Sequence, residues 1–392
     1  MGSKYDVTIV GGGAMGSSIA CHLAMEPGFA GSIAVIERDP TYATASSALS
    51  ASSIRQQFST PENIALSRWS LDFLRHIGDR LAVDGDRPSV GLREQGYLFL
   101  ATEAGMPVLR ANHGVQTAAG ADVALLDPAA LKARFPWLNV DDLAGGSLGL
   151  SGEGWFDGWS LLQAFRRKAI SLGVTYVTGE VTGLERAGGR IVAARLAEGT
   201  RIGCGALVNA AGPWAGRLAE MAGIDLPVGP RKRFVYVVEC RTPVAGAPLL
   251  IDPTGVYFRP EGNGFICGTS PPEDDDRDCE DLEVEYELFE STVWPVLAHR
   301  VPAFEAIRLS RAWAGHYEYN RLDQNGIIGP HPEIANLWFA NGFSGHGIQQ
   351  SPAVGRTIAE WIVYGAPRSL DVRRFGFDRI AANRPLREVN VV

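Results

Sequence analysis

The first forty residues restrict the fold of this chain more than any other segment. Residues 5–10 form a short β-rich run, and the glycine-rich turn at 11–16 leads directly into a run of helical character. A second apolar strand over residues 33–36 ends at Glu37. This order predicts a βαβ unit, in which a crossover helix joins two parallel strands.

The spacing Gly11-x-Gly13-x-x-Gly16 is typical of a turn that binds a dinucleotide. Gly11 permits the tight turn, Gly13 lets the main chain approach a pyrophosphate, and Gly16 allows the helix to pack closely on the strand. The helix N-terminus supplies amide donors and a positive dipole end. Glu37 follows Gly16 by about 20 residues, where a carboxylate accepts from a ribose hydroxyl. The pattern does not distinguish one dinucleotide from another.

Composition and charge exclude several classes of protein. The 392 residues, 46% of them hydrophobic, describe a globular chain of two domains or one elaborate domain. A net charge of −8 has the wrong sign for a nucleic-acid-binding protein. The five cysteines form no CxxC pair, so we predict no metal site and no disulfide framework. No uninterrupted apolar run of about 18 residues and no signal peptide is seen, so we expect a cytoplasmic protein without an integral membrane segment.

Two kinds of segment alternate along the chain. A helix over 160–172 and strands between residues 174 and 210 form a second α/β section, whereas the stretches near residues 87–154 and 230–319 contain short β runs with scattered helices. We predict an α/β fold in which a Rossmann-like dinucleotide domain is interrupted by a largely antiparallel β domain with flanking helices. The first domain takes residues 1–86, 155–229 and 320–392, and the second, a substrate domain, takes 87–154 and 230–319.

An acidic stretch, residues 273–290, holds 11 Asp or Glu residues. It lacks the spacing of a calcium loop, and its alternating apolar residues indicate the solvated flank of a helix. We therefore predict no ligand for it.

Three further segments combine small residues with a turn and suit close approach of the main chain to a ligand. Residues 44–53 carry small hydroxyl and alanine side chains, and they equally fit a surface loop. Residues 207–215 form a second strand-to-helix turn, and they equally fit a well-packed turn. The loop at 341–347 precedes a helix, whose amides and dipole favour negative charge. His346 in this loop fits either an acid–base role or a structural one.

These motifs, in this order, resemble the D-amino-acid oxidase superfamily of flavoproteins, in particular the branch with sarcosine oxidase, glycine oxidase and dimethylglycine dehydrogenase. The resemblance covers nearly the whole chain. A mitochondrial subgroup of FAD-dependent oxidoreductase domain proteins, tied to assembly of respiratory complex I, is more similar still. The segments that carry the resemblance are residues 11–16 with Glu37, 54–59, 209–214, 319–326, 328–332 and 342–347.

The resemblance implies FAD as the cofactor. The first glycines would hold its ADP half, Glu37 the adenosine ribose, and the loop at 44–53 would pass the pyrophosphate and flavin. The loop at 342–347 would face the flavin N1–C2=O edge, where a hydride arriving at N5 leaves negative charge that fixed amides stabilise. The predicted cofactor-binding residues are Gly11, Gly13, Ala14, Met15, Gly16, Glu37, Arg38, Ser46, Ser47, Ser53, Val181, Ala211, Gly212, Trp214, Gly342, Ser344, Gly345, His346, Gly347 and Ile348.

Two departures from the family pattern concern the flavin. Sarcosine-oxidase-like members attach the flavin through a cysteine in the segment corresponding to 314–319, which reads AGHYEY here. We therefore predict noncovalent FAD, with a linkage through His316 as the alternative. Those oxidases also place a lysine over the flavin, where this chain has Ile266. Since a positive charge stabilises developing superoxide, we favour a dehydrogenase that passes electrons to a quinone or an electron-transfer flavoprotein rather than to oxygen.

A third departure concerns the substrate. Glycine-oxidase-like members carry a carboxylate-binding arginine shortly after Trp-Ala-Gly, and residues 316–318 lack it. A fork-shaped guanidinium pairs bidentately with a carboxylate, so other arginines are candidates, although each equally fits a surface ion pair. The predicted substrate-binding residues are Arg55, Tyr257, Arg259, Tyr319 and Arg321, and the predicted catalytic residues are His316, Arg55 and Tyr317.

Three functions fit the sequence. The first is dehydrogenation of a small amino acid or N-alkyl amino acid, by hydride transfer to flavin N5, which gives an imine that water hydrolyses. The second is oxidation of a 2-hydroxy acid or glycerol phosphate, which needs a real base such as His316. The third is a noncatalytic flavoprotein that serves in assembly.

Overall fold

The structure, a computed structural model, describes residues 3–272 and 274–389. The strands are β1 (Lys4–Val10), β2 (Ile33–Glu37), β3 (Ser53–Ile54), β4 (Tyr97–Ala101), β5 (Val123–Leu126), β6 (Gly145–Gly149), β7 (Gly154–Trp155), β8 (Thr175–Thr178), β9 (Val181–Ala187), β10 (Arg190–Leu196), β11 (Arg201–Asn209), β12 (Val228–Glu239), β13 (Leu249–Ile251), β14 (Tyr257–Glu261), β15 (Gly264–Gly268), β16 (Arg308–Asn320), β17 (Ile327–Pro330) and β18 (Leu337–Asn341).

The α-helices are α1 (Ala14–Met25), α2 (Ser46–Leu49), α3 (Pro61–Arg75), α4 (Ile77–Arg80), α5 (Met106–Ala118), α6 (Pro128–Arg134), α7 (Gly158–Ser171), α8 (Ala215–Glu220), α9 (Tyr286–Leu288), α10 (Trp294–Arg300), α11 (Gly347–Tyr364) and α12 (Asp378–Ala381). A π-helical turn at Phe289–Val293 joins α9 to α10, and short 3₁₀ turns lie at Gly212–Trp214, Pro302–Ala306 and Arg373–Phe375.

The first sheet contains the predicted βαβ unit. Its strands lie in the order β17-β18-β11-β1-β2-β8, and β10 and β9 extend it from β11. The strand β1 pairs in parallel with both β2 and β11, and Val10 lies opposite Asn209. The carboxyl ends of these central strands therefore meet at one edge, which is where ligands bind in open α/β sheets.

Helices cover one face of this sheet and form the largest core. Apolar residues of α1, α3, α7 and α11 pack there against those of β1, β2 and β11. An added Cβ at Gly355 of α11 would lie 2.1 Å from Ser18 Oγ of α1, so these two helices approach very closely. Because α1 is enclosed on several sides, its position at the end of β1 is fixed by packing.

The second sheet has the order β16-β12-β15-β14-β13-β4-β6-β5, and it is antiparallel at every pairing of the described strands except β13 with β4. Side chains alternate between its faces. Phe234, Tyr236 and Val238 of β12 lie in a core under helix α10, so Arg233 and Val235 face the other way. The predicted α/β fold with a largely antiparallel second sheet is confirmed.

The predicted domain limits remain an interpretation. Strands of the second sheet come from the stretches 97–149 and 228–320, so β12 starts two residues before the predicted limit at 230. The predicted first domain also includes residues 1–2 and 390–392, which lie outside the described residues.

Of the prediction of a solvated helix flank for residues 273–290, the solvent exposure is confirmed for most of the described carboxylates, whereas the helix is wrong for most of the stretch. Its first residue, Glu273, lies outside the described residues, and the helix starts only at Tyr286. The carboxylates before it pair with cations, for example Asp281 with Lys232 at 2.6 Å and Asp278 with Arg321 at 2.8 Å. The sequence pattern missed this because the partners are distant along the chain.

Candidate active site

Two glycines let the main chain pack closely at the end of β1. Gly11 has φ +100°, and a Cβ there would lie 2.2 Å from the Ala210 carbonyl oxygen. A Cβ at Gly16 would lie 1.9 Å from the Gly11 carbonyl oxygen. Both contacts are with backbone atoms, which cannot rotate away. Gly16 therefore holds α1 against β1 and does not itself line a cavity.

A first cavity opens at this edge of the sheet. Twelve predicted cofactor-binding residues line it, namely Gly11, Gly13, Ala14, Met15, Glu37, Arg38, Ser46, Ser47, Val181, Ala211, Gly212 and Trp214. Glu37 Oε2 accepts from the Gly12 amide at 2.7 Å, and Oε1 accepts from the Asp39 amide at 2.9 Å. The Arg38 guanidinium lies 4.7 Å from the centre of the Trp214 ring. The structure thus brings together residues from five separate segments of the chain.

A second cavity adjoins the first. Both are lined by Ala14, Met15, Ser46, Ser47 and Glu318. The other predicted residues that line the second cavity are Ser53, Tyr257, His316, Tyr317, Gly345, Gly347 and Ile348. One continuous space therefore runs from the glycine turn to the second sheet.

The register of the second sheet decides which side chains face this space. Arg233 lies opposite Gly315, and Val235 lies opposite Trp313. The Arg233 guanidinium lies 4.9 Å from the centre of the Tyr317 ring. Burial raises the pKa of both Tyr317 and Tyr257, so these phenols stay protonated at neutral pH.

The loop at 342–347 is held by β16. The Gly342 amide donates to Glu318 Oε2 at 3.2 Å, and the Ser344 amide donates to the Glu318 carbonyl oxygen at 3.1 Å. Gly345 has φ +102°, and a Cβ there would lie 2.4 Å from Tyr317. Gly342 and Ser344 position the loop without lining a cavity, whereas Gly345 and Gly347 line the second one.

Two predicted histidines occupy different surroundings. His316 points to the face of β16 opposite Tyr317 and lies 5.8 Å from the Trp214 ring. Its Nε2 is buried without a hydrogen-bond partner among the described residues, and burial lowers its pKa. His346 lies against Phe58, outside both cavities, and burial lowers its pKa to about 3. A neutral ring there favours the structural alternative for His346.

The three arginines predicted to bind the substrate do not line the two cavities. Arg55 is buried, lies 4.6 Å over the Phe58 ring and donates to the Tyr97 hydroxyl at 3.4 Å. Arg259 donates to the Ala51 carbonyl oxygen at 2.7 Å and lines a neighbouring cavity.

The third of these arginines, Arg321, and two further residues, Tyr319 and Ile266, also lie outside this space. Arg321 is 42% exposed and pairs with Asp278. The ring of Tyr319 lies under the Arg231 guanidinium. Ile266 lines the same neighbouring cavity as Arg259.

Two ionisable residues of the second cavity, Arg233 and Glu318, were not predicted from the sequence. Burial raises the pKa of Glu318 to about 8, against the lowering effect of the Gly342 and Phe343 amides. The Glu318 carboxyl is therefore largely protonated at neutral pH. The available signal for Glu318 was a single carboxylate between two tyrosines in the half of β16 that is mostly buried. Arg233 gave none, because its neighbours Arg231 and Lys232 are also basic.

The profile of a protein family, DAO, described as FAD dependent oxidoreductase, matches residues 6–361. The chain belongs to this family. The resemblance to the D-amino-acid oxidase superfamily is thereby confirmed, and FAD is the cofactor of this oxidoreductase.

Comparisons with individual proteins agree with the family. The DAO-family chain is 47% identical to FAD-dependent oxidoreductase domain-containing protein 1 of Xenopus laevis, over 99% of this chain and 85% of that protein. It is 28% identical to mitochondrial dimethylglycine dehydrogenase of Rattus norvegicus, over 95% of this chain and 45% of that protein. The structure is similar to that of L-proline dehydrogenase from P. horikoshii, with a TM-score of 0.87, 27% identity, and 98% and 100% of the two chains covered.

The residues of this DAO-family protein fit FAD. A Cβ at Gly13 would lie 3.2 Å from Ser47 Oγ, so the bare glycine keeps the turn open. Ser46 Oγ is buried without a hydrogen-bond partner among the described residues, as expected of a group that meets a ligand. The amide end of α1 and the Glu37 carboxylate supply the donor and acceptor chemistry of a dinucleotide site. No described helix is long and apolar enough to cross a membrane.

Proposed function

We propose that this oxidoreductase dehydrogenates a small amino acid or N-alkyl amino acid at the carbon next to nitrogen. The product would be an imine, which water hydrolyses. The observation that carries the proposal is the lining of the second cavity, where the Arg233 guanidinium and the Tyr257 and Tyr317 phenols lie beside apolar Val235 and Ile348. Dimethylglycine dehydrogenase and L-proline dehydrogenase, named for amine substrates, support it.

FAD would be held by the residues of the first cavity and by the loop at 342–347. When bound, FAD supplies the hydride acceptor. The helix α11 starts at Gly347 and directs its amide end toward the second cavity, which favours negative charge there. Glu318 keeps a proton at the junction of the two cavities, so a charged carboxylate does not oppose that effect.

The substrate would be bound and oriented by side chains of the second sheet. A guanidinium pairs with the carboxylate of an amino acid, and the two neutral phenols donate or accept hydrogen bonds. A neutral amine expels a hydride without a strong base, so the pocket needs no charged acid or base for this reaction. His316 would only assist, and Arg55 would act through its packing on Phe58 and Tyr97.

Noncovalent attachment of FAD is part of the proposal. No cysteine lines either cavity among the described residues, and Cys21, Cys204 and Cys267 are buried elsewhere. Acid precipitation of the holoenzyme is expected to leave the yellow flavin in the supernatant. Flavin that stays with the protein would instead support the His316 linkage.

A dehydrogenase is favoured over an oxidase. Among the described residues that line the second cavity and the neighbouring cavity with Ile266 there is no lysine, so we expect electrons to pass to a quinone or an electron-transfer flavoprotein. A cytoplasmic location also remains a proposal.

Product analysis tests the reaction. Incubation of the holoenzyme with N-methylglycine and an artificial electron acceptor is expected to release formaldehyde and glycine, the hydrolysis products of the imine. With proline the expected product is a cyclic imine. Absence of carbonyl or imine products from every N-alkyl, D- and L-amino acid tried would reject the proposal.

One observation favours a second candidate, oxidation of a 2-hydroxy acid. An alcohol needs a base, and the buried Nε2 atom of His316 has no partner among the described residues. Replacement His316→Ala should then abolish flavin reduction, whereas it should only slow the reduction by an amine.

A further inference from the structure

The Arg233 guanidinium, which lines the second cavity, already forms an ion pair with a carboxylate of the same chain. Arg233 Nη1 donates to Asp276 Oδ1 at 2.7 Å, and Nη2 donates to Asp276 Oδ2 at 2.8 Å. The two side chains are only 11% and 12% exposed. This is the parallel two-bond geometry that a guanidinium adopts with a free carboxylate ligand. The other face of Arg233 lies against the Tyr317 ring.

Asp276 belongs to an acidic segment, residues 274–281, that lies along β12. Asp278 pairs with Arg231 at 3.1 Å, and Asp281 pairs with Lys232 at 2.6 Å. The Cys279 amide donates to the Pro230 carbonyl oxygen at 2.9 Å. Of these carboxylates, Asp276 is the one whose partner also lines the second cavity. The acidic segment is thus attached to the strand at several points, and one of them is at the cavity.

We propose that Arg233 is the binding site for the carboxylate of the substrate and that Asp276 is its built-in competitor, displaced when the substrate binds. The proposal rests on the proposed function, because it assumes a substrate with a carboxylate. Among the described residues that line the second cavity, Arg233 carries the only guanidinium. Asp276 takes one N–H of each Nη atom, and Nη1 also donates to the Lys232 carbonyl oxygen at 2.9 Å, so a substrate carboxylate that enters this end of the guanidinium must release Asp276. A carboxylate bound only at the Nε–Nη2 side, where Nε has no partner among the described residues, would leave Asp276 in place and cleavage after Arg277 unchanged.

Displacement has a structural consequence. Without its contact to Arg233, residue 276 loses the bidentate pair and keeps only a 3.8 Å approach to Arg231. The attachments of Asp278 and Asp281 remain. The acidic segment is therefore expected to loosen around Asp276 and the exposed neighbour Arg277 when a carboxylate enters the cavity.

The test uses the FAD-loaded protein and benzoate as the probe, followed by the change in flavin absorbance. Asp276→Asn removes the competing charge and should bind benzoate about tenfold more tightly than the wild type. Asp278→Asn is the matched control, since it removes ion pairs of the same segment away from the cavity, and it should leave benzoate affinity unchanged. Arg233→Gln should abolish benzoate binding. Benzamide, which is neutral, should not respond to Asp276→Asn.

A second measurement needs no variant. Trypsin cleavage after Arg277 of the wild-type holoenzyme, followed by mass spectrometry, should accelerate when benzoate is added and should not respond to benzamide. Equal benzoate affinity in the wild type and Asp276→Asn, no benzoate binding to either, or cleavage that benzoate does not change would overturn the proposal. Each of these results would make Arg233 a structural anchor of the acidic segment.

The two proposals fail separately. If amino acids reduce the flavin but benzoate does not compete with Asp276, the amine chemistry stands and the assignment of Arg233 is wrong. If Asp276→Asn tightens benzoate binding but no amino acid reduces the flavin, the carboxylate site stands and the amine chemistry is wrong.

Discussion

Glu318 Oε2 accepts a hydrogen bond from the Gly342 amide at 3.2 Å, and this contact joins the second sheet to the loop that leads into α11. The same carboxyl lines both cavities of the site. The junction between the cofactor region and the substrate region therefore contains an ionisable group, although the sequence analysis assigned no acid there.

Stability should depend on pH through this carboxyl. Burial raises its pKa from 4.5 to about 8, so the folded protein keeps the proton while the unfolded chain loses it near pH 4.5. The folded state then binds more protons, and stability falls as pH rises from 4.5 to 8. Glu318→Gln removes this titration, so the Tm of the holoenzyme should fall by about 5 °C less over that interval.

Glu153 provides the comparison for this measurement. It is buried, and its pKa is raised to about 7. Glu153→Gln should also reduce the fall of Tm with rising pH, but this effect should be complete near pH 7. Parallel Tm curves for the wild type and Glu318→Gln would contradict the assigned protonation of Glu318.

Stability at acidic pH should depend on the buried His346. Burial lowers the pKa of His346 from 6.5 to about 3, so the unfolded chain binds the proton first. This contribution to stability is present above pH 6.5 and is lost as pH falls toward 3. In His346→Gln the Tm should decline less between pH 6.5 and 4 than in the wild type. A decline in the variant that equals or exceeds that of the wild type would show that His346 is not held neutral.

Close packing at the glycine turn gives a steric prediction. In Gly16→Ala the new Cβ meets the Gly11 carbonyl oxygen at 1.9 Å, so α1 must shift, at a cost of about 1–3 kcal/mol or more. We expect less bound FAD per chain and a lower Tm. The control is Gly114→Ala on helix α5, where the new Cβ would meet no described atom within 4 Å outside its own stretch of helix, and it should keep its FAD and gain about 0.5–1 kcal/mol. Full FAD content in Gly16→Ala would contradict the assigned role.

Oxygen reactivity tests the favoured electron acceptor. Reduced wild-type holoenzyme should reoxidise slowly in air. The position of the family's lysine is taken by the apolar Ile266, in the cavity that adjoins the second one, and the Arg259 charge in that cavity is paired with Glu261. Ile266→Lys should accelerate reoxidation about tenfold or more, since a nearby cation stabilises the charge that forms during oxygen reduction. Ile266→Met, which adds no charge, should behave like the wild type. Rapid reoxidation of the wild type would indicate an oxidase.

Local patterns explain what the sequence predicted well. Gly11, Gly16 and Glu37 lie within one βαβ unit, where turn, packing and spacing are read directly from neighbouring residues. The family resemblance then placed residues 342–347 near the same edge of the sheet, and the structure shows Gly345 and Gly347 lining the second cavity.

Long-range contacts explain what the sequence missed. Arg233 meets Asp276, which is 43 positions away, and Glu318 meets Gly342 at 24 positions. Neither pair follows from helical or strand periodicity. The same reason accounts for the acidic segment. Asp278 and Asp281 stay exposed to solvent, as predicted, but their pairing with β12 and the shielding of Asp276 depend on residues that are distant along the chain. Arg321, predicted at the substrate, takes part in that surface network.

Anaerobic reduction of the flavin tests the central claim most directly. The FAD-loaded protein is mixed without oxygen with N-methylglycine, proline and other amino acids, and separately with glycolate and glycerol phosphate, while the flavin absorbance is followed. The account predicts bleaching by at least one amino acid or N-alkyl amino acid and none by the hydroxy compounds. Bleaching by the hydroxy compounds alone, or retention of fully oxidised FAD with every compound, would contradict it.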